Sequence, residues 1–209
     1  MKLIVAAMES ECSYLIDILG LEKTNKNIYK KDDIVLVNCG VGKVNAAMGC
    51  QKGFDFFDVD SVFNFGFVGS MSPDYRIGDY VFPCQTFQHD FDLTPLGYKP
   101  YEVSDQEKSV FDIEKYEELK KFFPELKKSQ FLLTGDRFMT EKLPDFEDAI
   151  CDMEGYAIAR VAFEYNVPVT MVKLVSDSCV KEGQAEFFAS VEKYRKDMQT
   201  KIAEYIKSL

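Results

Sequence analysis

The segment from Val167 to Val175 constrains the fold of this chain more than any other. It follows an apolar strand pattern, interrupted by Thr170 and Lys173, and runs into Ser176-Asp177. Such a run reads as a strand buried on both faces, as in sheets covered by helices. A second acid has a similar setting: Glu154 closes the strand-like stretch Ala149 to Met153 and opens a helical pattern. A third, Glu11, lies just behind the first apolar run. A carboxylate at the carboxyl end of an apolar strand is unusual as packing, and in open α/β sheets that edge is where ligands bind. The three acids therefore define a candidate active site.

The rest of the chain alternates strands with helices. Lys2 to Ala7 is a buried strand, and Glu9 to Leu19 carries apolar residues at helical spacing and stops at Gly20. Asn27 to Tyr29 and Ile34 to Cys39 pair around the turn at Lys31-Asp32-Asp33, and Val44 to Phe57 is helical. Ser61 to Phe65 is a strand followed by a glycine-rich loop, Gly66 to Ser70. Tyr80 to Phe87 and Gln130 to Thr134 are strands; Asp112 to Phe123 and Lys142 to Ala149 are helical or mixed. Glu154 to Tyr165 and Ala185 to Ser208 are helices. The polar stretch Lys99 to Lys128 has the weakest pattern and suits a mobile loop. The alternation predicts one α/β sheet with flanking helices, in a single domain over residues 1–209.

Charge and cysteine usage narrow the function classes. A net charge of -10 argues against nucleic acid, whose phosphates require clustered Lys and Arg. No apolar run approaches the roughly 18–20 residues of a membrane span, and Met1 to Met8 reads as a first strand rather than a signal peptide. None of the cysteines, Cys12, Cys39, Cys50, Cys84, Cys151 and Cys179, forms a C-x-x-C pair, and His89 is the only histidine, so a zinc site is not expected. The cysteines read as reduced, buried residues of a cytosolic protein, and His89, followed by Asp90, as structural.

Gly40-Val41-Gly42-Lys43 joins a strand to a helix, where backbone N–H groups can approach a ligand; it matches no nucleotide motif and equally suits a tight turn. Together with Ala7-Met8-Glu9-Ser10-Glu11, Asn64-Phe65-Gly66-Phe67-Val68-Gly69, Ile77-Gly78-Asp79, Asp152-Met153-Glu154-Gly155-Tyr156-Ala157-Ile158-Ala159 and Val175-Ser176-Asp177, it forms an ordered set over nearly the whole chain. In order and spacing this set resembles the nucleoside phosphorylase/nucleosidase superfamily, most closely the 5'-methylthioadenosine/S-adenosylhomocysteine nucleosidases. The resemblance implies a three-layer α/β sandwich around a mixed, partly barrel-like sheet, and a cytoplasmic homodimer or larger homo-oligomer. It implies a small purine nucleoside as partner and no metal or organic cofactor.

Breaking an N-glycosidic bond builds positive charge on the ribose and negative charge on the departing base, which suits one protonated carboxyl and carboxylates at the sugar. By resemblance, Asp177 is the general acid at purine N7, oriented by Ser176; Glu154 holds the ribose hydroxyls with Met153 on the sugar; and Glu11 activates water. Phe138 and Met139 border the base, Met8 and Val41 line the sugar and alkylthio side, and Leu93, Leu96 and Tyr98 line the pocket or serve a neighbouring subunit. On the residues alone, Glu11 and Glu154 could simply complement helix dipoles, Asp177 could be a turn or cap residue, and Phe138 and Met139 could be core. Two positions depart from the pattern: Phe67 stands where a small Ser near ribose and water is usual, and Lys173 where an Arg positions the ribose-binding Glu. The absence of Arg after the first strand favours water over phosphate as nucleophile. A phosphorylase or nucleosidase for another purine nucleoside, and a silent binding protein on the same fold, stay open as alternatives.

Overall fold

The computed structural model describes residues 1–103 and 108–209; the part of the expected Lys99–Lys128 loop at 104–107 lies outside the described residues. In chain order the elements are β1 (Lys2–Ala6), α1 (Glu9–Leu19), β2 (Glu22–Asn25), β3 (Ile28–Lys31), β4 (Ile34–Asn38), α2 (Lys43–Phe56), β5 (Ser61–Ser70) and β6 (Tyr80–Gln88). A 3-10 turn (Thr94–Leu96) precedes β7 (Val110–Asp112), α3 (Tyr116–Leu119), β8 (Lys127–Thr134), β9 (Ala149–Asp152), α4 (Gly155–Glu164), β10 (Val169–Asp177) and α5 (Gly183–Ser208).

The strands form one mixed sheet, and part of it closes on itself. β5 pairs in parallel with β10, β10 antiparallel with β6, β6 in parallel with β8, β8 in parallel with β9, and β9 antiparallel with β5. That circuit is a barrel. β1 lies along the other edge of β5 and begins an open wing of β1, β4, β3 and β2. Helix α1 packs on α5 and α2 on α4, and α5 also rests on β10. Every residue of β10 is buried, as expected of a strand paired on both sides and covered by a helix.

The largest revision to the sequence reading concerns β5. The stretch expected as a loop after Phe65 continues the strand to Ser70, paired with β10 through Gly69. Its glycines serve close approach rather than a turn. A methyl group on Gly66 would stand 2.6 Å from Glu11 Oε1, and one on Gly69 would stand 2.9 Å from Asp177 Oδ1. Lys142 to Ala149 is irregular rather than helical until β9 begins, because Pro144 falls inside it. In Asp112 to Phe123 the regular structure is the end of β7 and the single turn of α3. β2 has no sequence signal because it is an exposed edge strand of polar residues. Among the described residues no helix is long and apolar enough to cross a membrane.

Candidate active site

The carboxyl ends of β1, β8, β9 and β10 converge on the second half of β5 around a cavity of about 230 Å³. Of the residues singled out from the sequence, Met8, Glu11, Val41, Phe67, Phe138, Met139, Met153, Glu154, Ser176 and Asp177 line it. Phe187, from the first turns of α5, also lines it; its ring meets Phe67 edge-on at 6.2 Å and Phe138 at 5.8 Å. Phe188, next in sequence, is 61% exposed. From the sequence, Gln184, Phe187 and Phe188 are equal candidates for closing the pocket after Asp177. Leu93, Leu96 and Tyr98 do not line the cavity, and Leu96 is 73% exposed.

Glu11 sits in the first turn of α1, and its carboxylate is held from three directions. Oε2 accepts the N–H groups of Ala7 at 3.2 Å and Met8 at 3.0 Å, and Oε1 accepts that of Phe67 at 3.1 Å. The helix-capping reading and the site reading therefore describe the same carboxylate: it caps α1 and faces the cavity. Burial pushes its carboxyl above the usual range, while the Phe67 N–H and then the Met8 N–H oppose that rise.

Asp177 is the last residue of β10. Its Oδ2 lies 2.8 Å from Ser176 Oγ, which is also 3.1 Å from the carbonyl of Val68. The Ser176 hydroxyl is the donor to each, so its proton is divided between the Asp177 carboxyl and the Val68 carbonyl. Burial pushes the Asp177 carboxyl above the usual range, against the hydrogen bond that Ser176 donates to it. The chain turns at Cys179, whose φ of 51° brings its N–H back to Asp177 Oδ1 at 3.1 Å. Cys151 and Cys179 stand with sulfurs 3.3 Å apart beside it, and all six cysteines are free.

Glu154 precedes α4, and its Oε1 accepts the Gly42 N–H at 2.8 Å. The Gly40–Lys43 turn thus gives that N–H to a protein carboxylate, with Gly42 at a φ of 95° that favours glycine. Burial first, and the Asp152 charge second, push the Glu154 carboxyl up to about 8. A raised carboxyl binds its proton more tightly in the folded state. Its contribution to stability is complete below the unfolded value of 4.5 and is lost as pH rises to about 8. The protein is therefore expected to lose thermal stability between pH 5 and pH 8 (about the interval bounded by those values). Glu154→Gln should flatten the decline; an unchanged slope in melting scans of the variant would contradict this assignment.

Lys173 reaches the site through Asp152. It does not line the cavity, and its Nζ is bound to Asp152 Oδ2 at 2.8 Å and Asn64 Oδ1 at 2.7 Å. The reason is geometric: Lys173 lies in the middle of a fully buried strand, and Asp152 at the end of β9 is the acid within its reach. His89 lies outside the cavity, where burial lowers its imidazole below the ordinary value. Its buried Nε2 has no hydrogen-bond partner among the described residues.

A family model described as Phosphorylase superfamily matches residues 4–209. A 5'-methylthioadenosine/S-adenosylhomocysteine nucleosidase of Buchnera aphidicola subsp. Schizaphis graminum is 31% identical, over 88% of this chain and 86% of the relative. The Bacillus licheniformis protein of that name is 28% identical, over 99% of this chain and 98% of its own length. The crystal structure of the Neisseria meningitidis nucleosidase in complex with methylthio-immucillin-A superimposes with a TM-score of 0.89 at 24% identity. It covers 100% of this chain and 99% of the other, and shows the same fold.

Proposed function

Because this chain belongs to the phosphorylase superfamily, and within it to the 5'-methylthioadenosine/S-adenosylhomocysteine nucleosidases, we propose that it hydrolyses the N-glycosidic bond of adenine nucleosides of that type, releasing adenine and the thioribose. The observation that carries the proposal is the convergence of Glu11, Glu154 and Asp177 on one cavity walled by Met8, Met153, Phe138 and Phe187.

In this reading Asp177 donates a proton to the base at N7, and its second oxygen accepts from the 6-amino group. Burial, which raises the Asp177 carboxyl against the hydrogen bond that Ser176 donates to it, supports that role. Glu154 takes the ribose hydroxyls; the positive charge that grows on the sugar favours its ionised form, which in turn stabilises that charge. Glu11 receives the proton of the attacking water; three backbone N–H groups hold its carboxylate in one orientation. Phe138 stacks on the base beside Met139, Met153 packs on the sugar, and Met8 and Val41 contact the alkylthio side. Phe67 sets the shape of the sugar end, and Lys173 acts from behind the wall. The proposed chemistry uses no metal or organic cofactor. The reading also takes the protein to be one cytoplasmic domain over residues 1–209, working as a homodimer; the outward-facing Leu96 and Tyr98 support the pairing.

Water rather than phosphate is favoured because a buried carboxylate occupies the nucleophile's side, where a phosphate dianion would meet repulsion. The cation at the cavity lip, Arg137, is paired with Glu141 at 2.7 Å. The expected result is adenine release from methylthioadenosine and adenosylhomocysteine at the same rate with and without inorganic phosphate. Release that requires phosphate would turn the reading to a phosphorylase. Adenine binding without turnover would mark a silent relative whose Phe67 ring excludes the water.

A further inference from the structure

The network behind Glu154 has a centre that the proposed chemistry leaves unused. Asp152 ends β9 and is buried. Its Oδ2 accepts from Lys173 Nζ at 2.8 Å and from the Gly155 N–H at 3.0 Å. Its Oδ1 lies 2.6 Å from Thr134 Oγ1, 3.1 Å from the Gly155 N–H and 3.3 Å from the Glu154 N–H. Thr134 Oγ1 in turn accepts the Tyr156 N–H at 2.9 Å. The first turn of a helix presents N–H groups without internal partners. The N-cap residue of α4, Glu154 itself, makes no side-chain cap bond. Asp152 and Thr134 supply those acceptors from outside, which leaves the Glu154 carboxyl free to reach Gly42 and the cavity.

Resting on the nucleosidase reading, we propose that Asp152, held by Lys173 and Thr134, is the positioning residue for the Glu154 carboxyl. The pair also gives that carboxyl its electrostatic surroundings. Asp152 raises its affinity for a proton and the Lys173 ammonium lowers it; Glu11 on α1 raises it and the Gly42 N–H lowers it, while the Glu154 charge in turn acts on Cys39 beyond β4. A lysine at position 173 serves this arrangement because its ammonium is a compact charge shared between Asp152 and Asn64.

The test separates position and charge from simple loss of fold. The Glu154 carboxyl is titrated by carbon NMR in glutamate-labelled protein, its signal identified by its disappearance in Glu154→Gln. Asp152→Asn is expected to move the midpoint to lower pH and Lys173→Met to higher pH. Shifts of the same sign, or none, would overturn the proposal. Should Lys173→Met fail to fold, Thr134→Val decides, because it removes the hydroxyl without changing charge. It is expected to lower kcat/KM for methylthioadenosine by about 2–12-fold, the equivalent of one hydrogen bond. Thr134→Ser should restore the value. An unchanged kcat/KM in Thr134→Val counts against the positioning role. The titration needs no turnover and the wild-type assay needs no variant, so failure here and failure of the nucleosidase reading are told apart.

Discussion

With Asn in place of Asp177, base release is expected to slow by about 10²–10⁴-fold while the fold stays intact. The surroundings accept an amide with little cost. Its oxygen can keep the Cys179 N–H at the Oδ1 position, and its NH₂ can donate to Ser176 Oγ, leaving the Ser176 proton to the Val68 carbonyl. All the local partners remain served, so the loss should fall on the proton that an amide cannot deliver to the leaving base. Single-turnover adenine release measures the rate, and a melting scan measures the fold. Near-wild-type turnover in that variant would remove Asp177 from the role of general acid.

Glu11→Gln should behave differently although the chemical change is the same. Both carboxylate oxygens already accept backbone N–H groups: Phe67 on one, Ala7 and Met8 on the other. Whichever way the glutamine amide is turned, its NH₂ faces a donor. The expected result is a rate loss of about 10²–10⁴-fold together with a stability loss of about 1–3 kcal/mol from the unpaired N–H. That would appear as a melting midpoint lowered by about 2–4 °C per kcal/mol for a protein of this size. A variant that loses activity and melts like the wild type would show that the capping contacts carry no net stability.

The contrast between these two acids also marks what the sequence could reveal. The element order was legible because buried strands and helices impose their periods on the residues: Val167 to Val175 could only be an inner strand, and Gly20, at a φ of 64°, ends α1 where the pattern stops. Asp177 and Glu154 were legible as carboxylates at or just past strand ends, and Glu11 as one just behind the first strand. Their partners were not, because Phe67 and Gly42 contribute backbone N–H groups, which leave no mark on residue type. Gly66 and Gly69 looked like a turn; the signal was real, and its cause was the approach of Glu11 and Asp177 side chains to a strand. Lys173 was recognised as a departure from the superfamily pattern, yet its partner depends on register: β8 and β9 bring Asp152 beside Thr134, and Lys173 reaches it from β10. Phe187 could be chosen over Phe188 only once the helix phase was fixed in space.

The barrel circuit makes the last-synthesised strand its keystone. β10 pairs with β5 and with β6, and it carries Ser176 and Asp177 at its end. Without β10, one edge of β5 and one edge of β6 would be left unpaired, and exposed edges of that kind invite intermolecular pairing. The closing contacts span more than half of the chain, Val62 with Val169, a separation that slows folding. The contacts that close the barrel are therefore the same ones that set Asp177 in place.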